Sequence, residues 1–300
     1  MLKYLNHRDA TLLLNLQLMN IKALEEYFVE QATALYDTEE ARSLFYMITA
    51  QLQGWGRGYI LINGTKEVDA NQLDKYEEIL LELKTGKPLQ YIFEETIFYG
   101  LKFNVSPAVL IPRPETEELV DWILQTVGVK QQKPTNILDI GTGSGCIAIS
   151  LKKHLNTNNV SALEVSADAL IVAEKNAVLN NVIINFINQD ILTYSGDENY
   201  DLIVSNPPYI KEDERADMHQ NVLDHEPHLA LFVATERPLL FYEAIADFAI
   251  KHLRQEGNLF FEINEYLGKE TITMLENKGF NKIILKKDMQ GKDRMICCSL

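Results

Sequence analysis

The feature that most constrains the fold is an alternation of strand-like and helical segments from about residue 114 onward. Seven apolar segments rich in β-branched residues are mostly separated by stretches of helical periodicity, such as 167–180 and 239–253. This alternation predicts an α/β fold with a parallel, doubly wound sheet. The last two segments are too close together for a helical crossover, so we expect them to pair antiparallel. The predicted strands are 136–140, 160–164, 184–187, 202–205, 258–263, 282–286 and 295–299.

Two other patterns precede this alternation. Between about residues 20 and 85, apolar residues recur at three- and four-residue steps, with a glycine-containing break at 54–63, which predicts a small helical domain. From 89 to 111 large side chains alternate, Tyr91 and Phe93 among them, which predicts two strands joined as a β-hairpin. The predicted division is a helical domain at 1–85, with 1–18 as a candidate extension, a hairpin linker at 86–113 and the α/β domain at 114–300.

Charge and composition disfavour several classes of function. The 300 residues carry a formal net charge of −15, and the 8 basic and 13 acidic residues of 1–85 leave −5 there and −10 in the rest. An extended phosphate backbone requires clustered Lys and Arg instead. No apolar run approaches the roughly 18 residues of a membrane span, and no secretory cleavage signal is present. Three cysteines lack disulfide or zinc spacing. We therefore predict a cytoplasmic protein that binds neither membranes nor extended nucleic acid.

A glycine loop follows the first strand of the α/β domain. The segment at 137–145, Ile-Leu-Asp-Ile-Gly-Thr-Gly-Ser-Gly, runs from an apolar strand into the start of a helix. Doubly wound sheets bind ligands at the carboxyl ends of such strands, and glycine lets the backbone approach a ligand closely. Glu164 ends the next predicted strand, nineteen residues after Gly145. A carboxylate there can accept hydrogen bonds from both ribose hydroxyls, so the pattern predicts a nucleoside-containing ligand.

Three cofactor classes compete for this loop. A dinucleotide fingerprint requires a third glycine where Cys146 stands, and a phosphate-binding loop requires Lys-Ser or Lys-Thr, which is missing. The spacing G-x-G-x-G, with Asp139 two residues before it, resembles the first motif of class I methyltransferases. In that arrangement Asp139 and the loop amides would hold the methionine end of S-adenosylmethionine. The loop residues predicted to bind this cofactor are Gly141, Thr142, Gly143, Ser144 and Gly145.

A second motif ends the predicted strand at 202–205. The sequence Asn206-Pro207-Pro208-Tyr209 forms a stiff corner, because prolines fix φ and remove backbone donors. The Asn206 side-chain oxygen and the Pro207 carbonyl are two acceptors that can orient the two donors of an NH₂ group. Tyr209 offers a flat face to a planar acceptor group. An amide nitrogen is a poor nucleophile, so drawing on its N–H groups and aligning it with a sulfonium methyl contributes to the reaction.

Further segments carry a family resemblance. They are Gly-Lys-Pro-Leu-Gln-Tyr-Ile at 86–92, Phe-Tyr-Gly at 98–100, Val-Leu-Ile-Pro-Arg-Pro-Glu-Thr-Glu at 109–117 and His-Glu-Pro at 225–227, together with the glycine loop and the Asn-Pro-Pro-Tyr corner. With these motifs the chain resembles the HemK or PrmC family, the peptide chain release factor glutamine N5-methyltransferases. The match runs from about residue 20 to the end.

The resemblance implies a fold, a reaction and site residues. The fold is a Rossmann-like, class I methyltransferase sheet with a small N-terminal helical domain and a connecting β-hairpin. Because the helical domain is separate from the sheet, our hypothesis is that it docks the release factor. The substrate is the glutamine of the Gly-Gly-Gln motif in class 1 release factors, and we expect a monomer. By position, Gly141 to Gly145 and Glu164 bind the cofactor, and Ile191 beside Asp190 flanks its adenine. Asn206 touches cofactor and glutamine, while Pro207, Pro208 and Tyr209 complete the substrate site.

The sequence leaves some alternatives open. The same corner suits an N-methyltransferase acting on an exocyclic amine of DNA or RNA, although the acidic charge counts against it. A binding module that keeps the fold without turnover is a second alternative, which the intact loop, Glu164 and Asn206 oppose. Residues 224–228 resemble a metal cluster but lack helical ligand spacing, so we predict that His225 or Glu226 shapes the peptide groove. Arg113 is predicted to cover the cofactor.

Overall fold

The structure is a computed structural model that describes residues 19–128, 135–155 and 159–300. It divides the chain into two compact units, Met1–Ile92 and Phe93–Leu300. The candidate extension at 1–18 lies outside the described residues. No helix within the described ranges is long and apolar enough to cross a membrane.

The first unit is helical, as its periodicity predicts. Three of its helices begin at side-chain caps: the side chains of Asn20, Asp37 and Asp69 each accept a hydrogen bond from a backbone N–H in the first turn that follows. Phe45 packs at the centre, with its ring 5.7 Å from Phe28. The predicted break at 54–63 contains a short helix, so that part of the prediction is wrong. The helices are α1 (Ile21–Ala32), α2 (Thr38–Gln53), α3 (Arg57–Ile62), α4 (Ala70–Leu83) and α5 (Leu89–Phe93).

Helix α5 corrects the predicted hairpin. Tyr91 and Phe93 lie in this helix rather than in a strand. Pro88 explains the difference, because a proline has its φ already set for a first helical turn and lacks only a donor that such a turn leaves unused. The carbonyl of Pro88 accepts from the backbone N–H groups of Tyr91 and Ile92. The hairpin is therefore shorter than predicted, with β1 at Glu95–Phe98 and β2 at Leu101–Asn104, and it belongs to the second unit.

The second unit contains all seven predicted strands in one sheet. Beside them lie a short parallel pair, β7 with β8, and a 3₁₀ segment at Glu212–Asp217. The strands are β3 (Asn136–Ile140), β4 (Asn159–Glu164), β5 (Asn185–Asn188), β6 (Tyr200–Ser205), β7 (Ile210–Lys211), β8 (Phe232–Val233), β9 (Leu253–Glu262), β10 (Asn281–Lys287) and β11 (Asp293–Ser299). The helices are α6 (Pro114–Gly128), α7 (Cys146–Leu155), α8 (Ala167–Leu179), α9 (Gln220–His225), α10 (His228–Leu231), α11 (Leu240–His252) and α12 (Gly268–Asn277).

The strand order of the large sheet is β10-β11-β9-β6-β3-β4-β5. Strands β9, β6, β3, β4 and β5 run parallel, and β11 pairs antiparallel with both β9 and β10, which confirms the antiparallel ending. In this register Ile140 lies beside Ser205, and Ser205 beside Phe261. The carboxyl ends of the central strands therefore meet at one edge, where the sequence predicts the ligand.

Alternate residues of each central strand pack on opposite faces of the sheet. Ile137 belongs to a buried cluster with α6 and α7, and the next residue, Leu138, belongs to a second cluster with α11 and α12. Both side chains are fully buried. A parallel strand that is covered on both faces needs apolar side chains on both. Consecutive residues such as Ile137 and Leu138 are therefore both apolar. The packing fixes the strands whose ends form the site.

Candidate active site

A cleft of about 310 Å³ opens at the carboxyl edge of the sheet. That volume lies at the lower end of the range for small-molecule sites, and apolar side chains supply much of its wall. The cleft brings together both motifs that the sequence singled out. The predicted site residues in its lining are Gly141, Thr142, Gly143, Ser144, Glu164, Asp190, Ile191, Asn206, Pro207 and Pro208.

The glycine loop has the backbone conformation that its composition predicts. Gly143 has a φ of +54°, and a side chain there would meet no atom within 4 Å, so the backbone faces open space. Gly145 has a different role, since an added Cβ would lie 3.3 Å from the Cβ of Ala173 on α8. The third glycine therefore allows α8 to pack closely, and Gly145 is not part of the cleft lining that the described residues form.

Asp139 lies beneath the loop. Its side chain has no exposed surface, and its Oδ2 accepts from the Thr142 hydroxyl at 2.6 Å and from the Ala148 N–H at 3.2 Å. Among the described residues, Oδ1 has no hydrogen-bond partner. Burial, with a smaller contribution from the negative charge of Glu164, raises the pKa of Asp139 to about 7. Asp139 thus holds the loop from below, and a direct contact with the methionine end of the cofactor stays a prediction.

Glu164 closes the other side of the loop. Its Oε2 accepts from the Gly143 N–H at 3.0 Å, and its Oε1 accepts from the Ser166 N–H at 3.0 Å. Each carboxylate oxygen has two lone pairs, so both can accept a further hydrogen bond from the cleft. Beyond Glu164, Asp190 and Ile191 line the wall, where Asp190 Oδ1 accepts from the Leu192 N–H at 2.9 Å. A carboxylate followed by an apolar wall suits a ribose and an adenine.

The Asn-Pro-Pro-Tyr corner is anchored from behind. Asn206 Nδ2 donates to the Thr116 hydroxyl on α6 at 3.2 Å, and that hydroxyl donates to Glu262 Oε2 at 2.7 Å. The Tyr209 hydroxyl donates to Glu262 Oε1 at 3.1 Å. Thr116 and Glu262 are 3% and 1% exposed, so this network is shielded from water. Because the NH₂ group of Asn206 is bonded to Thr116 behind the corner, its side-chain oxygen is the group that can accept a hydrogen bond from a ligand in the cleft.

Tyr209 lies beside the cleft rather than in its described lining. Its ring packs against the buried cluster that α11 and α12 form with the sheet. Burial and the Glu262 carboxylate raise the pKa of Tyr209 well above its ordinary value, so the phenol stays neutral. The Asn264 side chain also donates to the Tyr209 carbonyl at 3.0 Å. The structure thus gives Tyr209 a bracing position, and its contact with the acceptor group stays a prediction.

Arg113 and Glu226 connect two family-specific segments. They form an ion pair in which the Glu226 side chain is 1% exposed, and Glu226 Oε2 also accepts from the Ile111 N–H at 3.2 Å. Arg113 lines the cleft, and its predicted covering of the cofactor stays a prediction. Glu226 is buried, so it positions the 111–113 segment rather than forming an open groove wall.

The cleft fits S-adenosylmethionine on three observations. The glycine loop presents open backbone at Gly143, Glu164 retains acceptor capacity, and the buried Oδ1 of Asp139 has no hydrogen-bond partner among the described residues, which a donor group of the ligand would supply. S-adenosylmethionine has a ribose and carries positive charge on its sulfonium and amino groups. The predicted cofactor therefore matches the residues present.

Comparison with known proteins gives the family. The profile of the PrmC N-terminal domain matches residues 28–93, and that of the Methyltransferase small domain matches residues 121–229. A release factor glutamine methyltransferase of Flavobacterium psychrophilum is 48% identical over 280 residues, covering 93% of this chain and 98% of the relative. The chain belongs to the release factor glutamine methyltransferase family. A second member, from Bacteroides thetaiotaomicron, is 40% identical, covering 90% of this chain and 96% of the relative.

Family membership confirms the predicted class I methyltransferase fold, the enzyme class and the cofactor, S-adenosylmethionine. A solved methyltransferase of Pyrococcus furiosus shares the fold, with a TM-score of 0.50 and 20% identity over 75% of this chain and 97% of that one. Two residues behind the corner, Thr116 and Glu262, carry no role predicted from the sequence. Thr116 lies in the motif at 109–117, and Glu262 lies inside the predicted strand 258–263. Their link to Asn206 appears only in the fold.

Proposed function

We propose that this chain methylates the side-chain amide nitrogen (N5) of the glutamine in the Gly-Gly-Gln motif of class 1 peptide chain release factors. Relatives that match nearly the full chain are named for release factor glutamine methylation. The observation that carries the proposal is the rigid corner that places Asn206, Pro207 and Pro208 in the wall of the cofactor cleft. Monomeric state, cytoplasmic location and the absence of extended nucleic-acid binding stay predictions.

The residues of the cleft divide the work of the reaction. S-adenosylmethionine supplies an electrophilic methyl group on its sulfonium. The glycine loop and Glu164 bind and orient the cofactor, Glu164 through its free acceptor positions at the ribose. Arg113, which lines the cleft, helps to exclude water. These groups bind the cofactor but do not activate the acceptor.

The corner aims and activates the acceptor. The Asn206 oxygen and the Pro207 carbonyl accept the two N–H hydrogens of the carboxamide, which shifts electron density toward its nitrogen. Holding the nitrogen in line with the methyl group supplies several of the ~7–11 kcal/mol that good alignment can give. Neutral acceptors suffice because they orient the amide without first removing a proton. As the new C–N bond forms, the bond between the methyl group and sulfur breaks, and its electron pair stays on the sulfur. The nitrogen then loses one proton to water.

The test is a transfer assay with labelled S-adenosylmethionine. Three acceptors are compared: a purified class 1 release factor, the same factor with its Gly-Gly-Gln glutamine replaced by glutamate, and structured RNA or duplex DNA. We expect label on the intact release factor, located to that glutamine by peptide mass spectrometry. The glutamate form lacks the NH₂ group and should take no label. Label on nucleic acid alone would instead support the exocyclic-amine alternative.

A further inference from the structure

The reaction depends on which end of the Asn206 amide faces the acceptor. Rotating the amide by 180° exchanges an acceptor oxygen for a donor NH₂. When its oxygen faces the cleft, Asn206 accepts a hydrogen bond from an N–H group of the substrate amide. When its nitrogen faces the cleft, two N–H donors oppose each other and the substrate amide is repelled. Nothing within the Asn-Pro-Pro-Tyr motif itself selects one orientation. The selection must come from the partners of Asn206.

Thr116 is that partner, and its hydroxyl has a single hydrogen. This hydrogen is donated to Glu262 Oε2 at 2.7 Å. A hydroxyl that has donated its hydrogen can only accept from other neighbours. Thr116 therefore accepts from Asn206, and the group that meets it at 3.2 Å is the Nδ2 donor. The direction of one hydrogen bond fixes the direction of the next.

Glu262 sets this direction because an ionised carboxylate accepts hydrogen bonds and cannot donate them. Its two oxygens receive the hydroxyls of Thr116 and Tyr209, on two different segments. Burial disfavours the ionised form, and the hydrogen bonds from Thr116 and Tyr209 together with the positive charge of Arg294 favour it. The side chain lies at the end of β9, next to β6, whose end leads into the corner. Helix α6, the Asn-Pro-Pro-Tyr corner and the end of β9, which are distant in sequence, thus meet at the Glu262 carboxylate.

We propose that Glu262, acting through Thr116, is a positioning residue that fixes the polarity of the Asn206 amide and so directs its oxygen to the acceptor N–H. The inference rests on the proposed function, in which Asn206 holds the glutamine amide. Neither Glu262 nor Thr116 takes part in bond making. Their contribution is to exclude the wrong orientation before the substrate arrives.

The pH dependence follows from this chain of hydrogen bonds. Protonated Glu262 can donate to Thr116, whose hydrogen is then free to point at Asn206, and the amide can turn. Burial raises the pKa of Glu262 above its ordinary value, while hydrogen bonds from Thr116 and Tyr209 and the charge of Arg294 oppose the rise. Activity therefore falls as pH drops through this pKa, which lies above the ordinary value for a glutamate. The titratable or charged groups that face Glu262 are Tyr209, Tyr242, Cys146, Arg294 and Glu115.

The experiment compares Thr116→Val with Thr116→Ser in the release-factor assay. Valine keeps the volume but removes the hydroxyl, so we expect kcat to fall about 10- to 100-fold, while the Kd for S-adenosylmethionine changes less than about threefold. Serine restores the hydroxyl and should keep kcat within about threefold of wild type. Thr126→Val is the matched control, a threonine of the same helix whose hydroxyl donates to the Trp122 carbonyl. Unchanged kcat in Thr116→Val, or an equal loss in Thr116→Ser, would overturn the proposal.

Glu262→Gln supplies an independent readout that does not need Thr116→Val to fold. Glutamine can donate or accept toward Thr116 at every pH, so kcat should be lower than wild type and the acid limb of its pH profile should disappear. Retention of that limb, or a wild-type kcat, would contradict the assigned role. Wild-type protein that transfers no methyl to release factor would reject the proposed function instead, and the two failures are thereby distinguished.

Discussion

At the scale of single residues, the cleft depends on carboxylates with different roles. Asp139 and Glu164 both receive backbone hydrogen bonds near the glycine loop, but Asp139 is fully buried and Glu164 lines the cleft. Burial disfavours the charged form of Asp139 and is the largest cause of its raised pKa. Glu164 is therefore the carboxylate that can exchange hydrogen bonds with a ligand.

Replacing Glu164 by glutamine should weaken cofactor binding. The amide NH₂ would face one of the two N–H groups, of Gly143 or Ser166, that the carboxylate now accepts. We expect the Kd for S-adenosylmethionine to rise about 10- to 100-fold, corresponding to about 1–3 kcal/mol. Titration calorimetry measures this directly. Glu174→Gln, at an exposed position on α8, is the matched control, and equal affinities for the two variants would exclude the assigned role of Glu164.

Residue types and local spacing predicted individual cleft-lining positions better than the connections between them. The loop glycines, Glu164 and Asn206 belong to short motifs, so their position at strand ends could be predicted. The Thr116–Glu262 hydrogen bond joins residues 146 positions apart in the sequence, and the Asn206–Thr116 hydrogen bond joins residues 90 positions apart. No local spacing encodes such contacts, because they depend on which strands become neighbours in the sheet.

At the scale of elements, the hairpin is joined to the cofactor loop through helix α8. Asn176 on that helix is fully buried. Its Oδ1 accepts from the Asn104 N–H at 2.6 Å, and its Nδ2 donates to the carbonyls of Asn104 and Ser144 at 2.9 Å each. Asn104 ends β2, and Ser144 lies in the glycine loop. One side chain therefore ties both segments to the same helix.

Asn176→Ala should destabilise the protein and loosen the loop together. Removing the amide leaves the N–H and carbonyl of Asn104 and the carbonyl of Ser144 without this partner, which costs about 2–4 kcal/mol in the free energy of unfolding. We also expect weaker S-adenosylmethionine binding. Urea unfolding and calorimetry measure the two effects.

The control for that variant is Asn185→Ala, whose side chain donates to the Ser161 hydroxyl at an exposed strand end. Its unfolding free energy should stay within about 0.5 kcal/mol of wild type. An Asn176→Ala protein as stable as this control would show that the three backbone groups find other partners.

Element type was predictable where the pattern was long, and failed where it was short. The β-branched strands of the sheet and the long helices appear as expected, with boundaries shifted by a few residues. The alternation through Tyr91 and Phe93 spans too few residues to distinguish a strand from a single helical turn, and Pro88 decides for the helix. Strand β9 begins at Leu253, earlier than predicted, because Arg254, Gln255 and Glu256 interrupt its apolar pattern.

At the scale of the whole molecule, acidic charge and a small apolar cleft agree with a protein substrate that inserts one side chain. A net charge of −15 opposes long phosphate backbones but not a peptide loop. The helical unit is expected to dock the body of the release factor, which stays a prediction. The glycine loop, Glu164 and the Asn206–Pro208 corner nevertheless all lie at one edge of one sheet.

The most direct test of that convergence is methyl transfer by full-length Asn206→Ala. Losing the orienting oxygen should lower kcat on release factor at least about 100-fold, while thermal unfolding stays close to that of wild type. Asn185→Ala serves again as the control and should transfer methyl normally. A stably folded Asn206→Ala protein that turns over within about twofold of wild type would contradict the claim that this corner orients the carboxamide.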